Sequence, residues 1–340
     1  MSGLKDGWSD LSDAQLLDTR LCDLRLNLRQ LPIYRHIQAL YGELARRGIR
    51  FRPHVWLAEE WFSPDGVPGF AVPFYLAHPR LLRLERRMTH EAEGSNSNWL
   101  MRILRHEAGH AIDSAYRLRR RAQWRELFGP ASRRYPRRYR ARPASRQYVQ
   151  YLGEWYAQAH PTEDFAETFA VWLQPHSDWR RRYADWPAYR KLEYVAELAA
   201  QIGATRPLVR SRDQIEPLAD NQRTLAQHYR AKLARRGTLR RALADRLLGR
   251  LFATGKSSGR AATAASFVRA HKSALRDYLL RQGGADRYLV QQILRLAIER
   301  CERRQLYVRG TQRAALPKLR RLLTRLVRSY ALSNGLHWHL

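Results

Sequence analysis

The sequence predicts an α+β domain followed by a mainly α-helical, strongly basic C-terminal region. Two segments with strand-like composition lie before residue 80, and stretches with apolar residues at helical spacing follow them. The charge is uneven, because residues 215–340 hold 27 Lys and Arg against 7 Asp and Glu. A polar segment broken by Pro207 and Pro217 separates the two parts. We therefore expect two domains, residues 1–208 and residues 209–340.

Two segments of the first domain predict a small sheet. The residues from Phe51 to Ala58 alternate in polarity and predict one strand, and those from Gly69 to Leu76 predict another. The sequence SPDG at 63–66 predicts a turn between them. Pro73 cannot donate a ladder hydrogen bond, which favours an edge position for the second strand. Such an edge could bind an extended peptide by strand addition, or it could be a plain edge that the proline protects.

The sequence HEAGHAID at 106–113 contains an HExxH motif. Apolar residues at helical spacing predict a helix from about Asn98 to about Leu118 around it. On a helix, His106 and His110 project from one face, one turn apart, so both imidazoles can bind a single Zn²⁺ ion. Glu107 lies beside the first histidine and can take a proton from a water on the metal. A chance motif on a polar face is the alternative, but this one lies in an apolar helix.

A catalytic zinc site needs three protein ligands and one open position. One class of enzymes places a third histidine six residues after the second, where this chain has Tyr116, so that class is excluded. The predicted helix PTEDFAETFAVWL, from residue 161, offers Glu163, with Glu167 one turn further along the same face. We assign Glu163 as the third ligand and Glu167 as the carboxylate that hydrogen-bonds a zinc-binding histidine. Three carboxylates stay open as alternatives for the third ligand: Glu167, Glu154 and Asp164.

The segments HEAGHAID and YAQAHPTEDFAETFA together resemble a bacterial family of zinc-binding metallopeptidases in the gluzincin clan, over about residues 8–202. They are more distantly similar to anthrax lethal factor-type peptidases. The resemblance implies a zincin-like domain that hydrolyses peptide bonds, with a zinc-activated water and Glu107 as the general base. It also implies that Tyr156, seven residues before Glu163, donates a hydrogen bond to the oxyanion. A packing role in the core is the alternative for Tyr156.

Other polar residues near these motifs are candidates for supporting roles. Asp113 lies one turn beyond His110 and is expected to hydrogen-bond near the zinc ligands or to brace the helix. His160 is a second candidate for proton transfer or oxyanion binding. His337 and His339 could bind a metal ion, although histidines near a chain end commonly have no such role.

Composition constrains the class of protein. Hydrophobic residues make up 44% of the chain, which is typical of a globular protein, and no apolar run is long enough for a transmembrane helix. The polar start predicts no signal peptide, and two distant cysteines, Cys22 and Cys301, fit a reducing cytoplasm. The net charge of +31 favours a polyanion or nucleic acid as a partner of residues 215–340, beside a protein or peptide substrate.

The basic region is expected to fold, because apolar residues such as Leu243, Leu247, Ile293 and Leu296 recur in it at helical spacing. Candidate helices lie near 218–235, 238–253, 262–281, 286–304 and 316–332. Two functions other than a peptidase are open: a polyanion-binding protein whose zinc domain acts on a bound protein partner, and a non-catalytic, zinc-stabilised interaction protein. Glu107 argues against the second of these, since a structural zinc site does not need it.

Overall fold

Helices form most of the described structure, and short strands pair in two places. The computed structural model describes residues 7–89, 92–136, 142, 145–153, 155–254, 262–282 and 287–332. Two compact units divide the chain, one ending at His228 and the other beginning at Tyr229. The first unit combines helices with a small sheet, which is compatible with the predicted α+β class. Within the described residues, no helix is long and apolar enough to cross a membrane.

The first unit is built around a core that joins the predicted zinc helix to the glutamate-bearing helix. Its largest fully buried side chains include Trp124, Phe165, Phe169 and Tyr183. Its elements are α1 (Asp13–Asp18), α2 (Ile33–Arg46), β1 (His54–Ala58), β2 (Gly69–Pro73), α3 (Pro79–Thr89), α4 (Ser97–Tyr116), α5 (Ala122–Phe128), α6 (Pro161–Leu173), α7 (Trp179–Arg182) and α8 (Ala188–Ile202).

The sheet of the first unit consists of two parallel strands. Trp56 of β1 lies opposite Ala71 of β2, and every residue of β2 is buried. Parallel strands usually need a long crossover, but here the connection is short and runs back along the second edge of β2. At that edge, the Ala71 N–H donates a hydrogen bond to the Phe62 carbonyl at 2.8 Å. Phe62 therefore occupies part of the edge that Pro73 had suggested would be open.

The second unit is a packed helical assembly. Leu247, Leu248, Phe252 and Ile293 are among its fully or almost fully buried residues, as the helical spacing of apolar residues predicted. Its elements are α9 (Leu225–Leu251), which begins in the first unit, β3 (Phe252–Thr254), α10 (Ala264–Ala270), α11 (Lys272–Arg281), α12 (Arg287–Arg303), β4 (Leu306–Val308) and α13 (Gln312–Leu332). The strands β3 and β4 form an antiparallel pair.

Residues 209–228 pack with the first unit, so the two units divide beyond the predicted boundary at 208–209. The Val209 N–H donates to the Ala115 carbonyl at 2.9 Å, and the Leu21 N–H donates to the Arg223 carbonyl at 2.9 Å. Backbone hydrogen bonds of this kind anchor a connecting segment even where its side chains are exposed. Residues 209–228 therefore belong to the first unit.

Gly109, in the middle of the HExxH motif, allows α4 and α6 to approach each other closely. A Cβ atom added at Gly109 would lie 2.9 Å from the Ala166 Cα and 3.3 Å from the Phe169 Cβ. Glycine lowers helix propensity by about 1 kcal/mol relative to alanine, so its presence here needs a packing reason. The close approach is that reason, because it brings the histidines of α4 next to the first turn of α6.

We expect Gly109→Ala to lower the free energy of unfolding by about 1–3 kcal/mol, because forcing the helices apart outweighs the gain in helix propensity. Chemical denaturation of the full chain measures this difference. The control is Gly42→Ala in α2, where the nearest atom to an added Cβ is the flexible Arg46 guanidinium at 3.6 Å. That variant should be neutral or more stable by up to about 1 kcal/mol. Equal effects of the two substitutions would contradict the packing role of Gly109.

Candidate metal centre

Residues at the ends of α4 and α6 determine where the two helices of the site begin. The Asn96 side chain caps the start of α4, where it accepts a hydrogen bond from the Trp99 N–H at 2.8 Å. At the other end of α4, Arg117 follows the last helical residue in the left-handed conformation. Pro161 occupies the first position of α6, where its missing N–H is not needed. The His160 side chain accepts a hydrogen bond from the Thr162 N–H at the same end. The motif thus lies in the middle of α4, and Glu163 lies in the first turn of α6.

Three ligand atoms from these helices converge. His106 Nε2 and His110 Nε2 are 3.1 Å apart, and Glu163 Oε2 lies 3.1 Å from the first and 3.2 Å from the second. A tetrahedral zinc ion with bonds of about 2.0–2.1 Å separates its ligand atoms by about 3.3 Å. Two imidazole nitrogens and one carboxylate oxygen are a donor set that suits Zn²⁺. His106, His110 and Glu163 could therefore hold a zinc ion, and within the described residues the cluster has no fourth member.

Glu167 lies behind the cluster and contacts His106. Its Oε1 is 3.0 Å from His106 Nδ1, and its Oε2 accepts a hydrogen bond from the Leu152 N–H at 3.0 Å. A carboxylate in this position keeps the proton of His106 on Nδ1, so that the lone pair of Nε2 faces the cluster. Glu167 is 1% exposed, and its two oxygen atoms are fixed by these contacts.

The carboxylates control the protonation of the cluster. Burial lowers the pKa of His106, but hydrogen bonds to Glu163 and Glu167 outweigh burial and raise that pKa to about 10. Burial raises the pKa of Glu163, but the charge of His110 and the hydrogen bonds from His106 and His110 hold it well below its usual range. Because a metal ion and a proton compete for the same nitrogen atom, metal binding here would release a proton.

Glu107 lies beside the cluster without belonging to it. Its side chain is buried, with 8% of the residue exposed, and its Oε2 accepts a hydrogen bond from the Ser63 hydroxyl at 2.7 Å. The sequence SPDG predicted only a turn at 63–66, and Ser63 was not among the predicted site residues. The contact joins residues 44 positions apart, so no local pattern could predict it.

Tyr135 is a second site residue that sequence analysis missed. Its hydroxyl donates to Glu163 Oε1 at 2.8 Å and lies 2.6 Å from Thr162 Oγ1. Its ring stacks on His160, with 3.8 Å between the ring centroids. His160 Nε2 donates to the Arg133 carbonyl at 2.6 Å, and its Nδ1 faces Thr162. Both nitrogens of His160 therefore have partners within the protein, which favours a structural role over the predicted proton transfer.

Tyr156 packs beside His106 of the cluster, whereas the Asp113 carboxylate binds Arg119, which lies beyond the C-terminal end of α4. The Tyr156 ring centroid is 5.6 Å from that of His106, and burial together with the charge of Glu163 raises the pKa of its phenol well above the usual value. The phenol is thus a hydrogen-bond donor.

Asp113 is fully buried and accepts hydrogen bonds from the backbone and side chain of Arg119. Three candidate ligands lie outside the described residues: Glu154, His337 and His339.

Comparison with known proteins adds one finding to this geometry. Neither the curated proteins nor the solved structures gave a significant match, so the similarity to lethal factor-type peptidases stays a prediction. A family model described as "Putative zinc-binding metallo-peptidase" matches residues 84–181. This range contains α4 and α6, and it is shorter than the 8–202 range of the predicted resemblance. The segment that holds His106, His110 and Glu163 is thus the segment by which the chain matches a zinc-binding metallo-peptidase family.

Proposed function

We propose that this chain is a zinc-dependent metallopeptidase that hydrolyses peptide bonds, with His106, His110 and Glu163 as the zinc ligands. The observation that carries the proposal is the convergence of three ligand atoms within 3.2 Å of one another. Their segment matches a zinc-binding metallo-peptidase family, which supports a peptidase over other zinc hydrolases. A protein or peptide substrate follows from that family.

Each neighbouring side chain has a separate task in the proposed reaction. Zinc, when bound, supplies a Lewis acid and lowers the pKa of a bound water to about 7. Glu107 accepts the proton of the attacking water and later delivers it to the leaving amine. Tyr156 donates a hydrogen bond to the oxygen of the scissile carbonyl as negative charge develops there. Glu167 holds the ring of His106 in the orientation that directs Nε2 at the cluster.

The composition of the site favours catalysis over a structural zinc. Structural zinc sites are closed by four protein ligands, whereas catalytic sites keep a position for water. Among the described residues, the metal-ligand cluster has three members, and the nearby carboxylate of Glu107 is bound to Ser63 instead. A carboxylate beside the open position is what a general base requires. The non-catalytic alternative gives no role to Glu107.

A peptide-hydrolysis assay with metal depletion tests the proposal. The full chain, loaded with zinc, is incubated with a peptide library, and cleavage products are identified by mass spectrometry. We expect cleavage that a chelator abolishes and that stoichiometric zinc restores, because the proposed water activation depends on the metal. Zinc-loaded protein that cleaves no peptide, or cleavage that a chelator leaves unchanged, would contradict a zinc peptidase.

The polyanion partner of the basic region stays a prediction. Within the described part of α13, Lys318, Arg321 and Arg325 are exposed and share one face of the helix. A basic face of this kind attracts polyanions through charge, without base recognition. This exposed basic face supports the proposal that the second unit binds a polyanion.

A further inference from the structure

We propose that Ser63 is a positioning residue for Glu107, and that an Asp65–Arg119–Asp113 chain of ion pairs holds the turn that carries Ser63. This inference rests on the proposed function, since it gives Glu107 the part of general base. It assigns a catalytic purpose to a turn that lies outside the segment matched by the family model.

The contact between Ser63 and Glu107 restricts a flexible side chain. Glutamate has three rotatable bonds, and ordering such a side chain costs conformational entropy. The Ser63 hydroxyl donates to Glu107 Oε2 at 2.7 Å, a short distance typical of a hydroxyl bound to a charged carboxylate. With Oε2 held, Oε1 is the oxygen that can face a water molecule. Ser63 therefore fixes both the place and the orientation of the proposed base.

The turn that presents Ser63 is closed by its own backbone. The Val67 N–H donates to the Pro64 carbonyl at 3.2 Å, and Gly66 adopts a φ of 77°. A positive φ at the third residue of such a turn favours glycine. The hydroxyl of Ser63 takes no part in closing the turn, so its removal should leave the turn intact.

Arg119 ties the turn to α4 at a second point. Its Nη1 donates to Asp65 Oδ1 at 2.6 Å, and its Nε donates to Asp113 Oδ2 at 2.7 Å. Asp113 also accepts from the Arg119 N–H at 2.8 Å and is fully buried. Glu107 and Asp113 are separated by about 9 Å along the helix axis. Two contacts at that separation fix the angle of the turn against α4, which one contact could not do.

The two contacts differ in strength. The Asp65 side chain is 85% exposed, so solvent screens its ion pair with Arg119 and makes it the weaker of the two restraints on the turn. The Ser63 hydrogen bond reaches a buried carboxylate, and hydrogen bonds to charged groups contribute more than those between neutral groups. Ser63 is therefore expected to dominate the positioning of Glu107, with the Arg119 contacts as a secondary restraint.

The test compares Ser63→Ala and Ser63→Thr with wild type in the zinc-loaded full chain. Zinc content, affinity for acetohydroxamic acid and the separate values of kcat and KM are measured. Acetohydroxamic acid binds zinc and gives up a proton to a neighbouring carboxylate, so its affinity reports the position of Glu107 without a peptide substrate. The control is Ser177→Ala, a partly exposed serine beyond the opposite end of α6.

We expect Ser63→Ala to keep its zinc, to bind acetohydroxamic acid about tenfold more weakly, and to lose about 10–100-fold in kcat with little change in KM. Ser63→Thr, which keeps the hydroxyl, should restore most of both quantities, and Ser177→Ala should match wild type. Unchanged hydroxamate affinity and kcat in Ser63→Ala would overturn the positioning role, and so would a loss of zinc or a failure of threonine to rescue.

The same experiment separates this inference from the proposed function. If wild type binds zinc and hydroxamate but cleaves no peptide, the peptidase proposal fails, while a hydroxamate affinity reduced by Ser63→Ala still supports the positioning of Glu107. If wild type cleaves peptides and Ser63→Ala does so equally well, the positioning role fails and the peptidase proposal stands. A wild-type chain that binds no zinc would overturn both.

Discussion

Glu107→Gln is expected to reduce peptide hydrolysis by about 10²–10⁴-fold while the zinc content of the chain stays at the wild-type level. Glutamine has the shape of glutamate, and its carbonyl oxygen can still accept the hydrogen bond that the Ser63 hydroxyl donates at 2.7 Å. It cannot accept the proton of the attacking water. The substitution therefore removes proton transfer alone and leaves His106, His110 and Glu163 unchanged.

The measurement is kcat on a cleaved peptide together with zinc analysis by mass spectrometry. Glu126→Gln provides the control, because Glu126 is an exposed glutamate on α5 and the same change of charge should leave activity at the wild-type level. A Glu107→Gln variant that loses its zinc with an intact fold would show that Glu107 is a ligand. Retained activity would show that another group transfers the proton.

The second large effect is expected at Glu163. Glu163→Ala removes one of three ligand atoms, so zinc affinity should fall by far more than the roughly 10–100-fold that loss of an outer hydrogen-bond partner causes. The loss of zinc affinity in Glu167→Ala should lie within that smaller range, because Glu167 contacts His106 Nδ1 and is not a member of the ligand cluster. Competition with a chromophoric chelator measures both affinities. A larger loss in Glu167→Ala would reverse the two roles.

A change in folding must be separated from a change in metal binding in these variants. Glu167→Ala also leaves the Leu152 N–H and His106 Nδ1 without their acceptor, and an unpaired buried group costs about 1–3 kcal/mol. Glu167→Gln keeps an acceptor oxygen and is the matched variant. If zinc affinity in Glu167→Gln stays close to wild type while Glu167→Ala loses affinity, the hydrogen bond to His106 accounts for the effect.

The sequence could predict that His106, His110 and Glu163 come together because these residues lie in regular helices. Helical spacing of apolar residues predicted a helix at about 98–118, and α4 spans Ser97–Tyr116. The face shared by His106 and His110 follows from helical geometry alone. Glu163 required a guess about a second helix, and the close approach at Gly109 is what brings it to the histidines.

The hydrogen bonds that support the site could not be predicted from the sequence, because they join segments that are far apart in the chain. Ser63 reaches Glu107 across 44 positions, and Tyr135 reaches Glu163 across 28. A turn and a long connection have no periodic pattern that indicates which side chain points at a site. Such residues become visible when the packing of the whole unit is known.

The strand pairing and the length of α9 differ from prediction for physical reasons. β1 and β2 pair in parallel across a short connection, an arrangement that sequence pattern does not specify. The prediction of separate helices near 218–235 and 238–253 was wrong, because α9 runs from Leu225 to Leu251 through Gly237. One glycine costs a helix about 1 kcal/mol, which surrounding helical residues and packing can offset.

Zinc analysis of the full wild-type chain beside a His106→Ala, His110→Ala double variant tests the central claim most directly. Both proteins are saturated with zinc, dialysed against metal-free buffer and analysed by mass spectrometry, with circular dichroism to verify their fold. We expect about one zinc ion per chain in wild type and none in the folded double variant, because two of the three proposed ligands are lost. Wild type without zinc, or equal zinc in both proteins, would contradict the proposed zinc site.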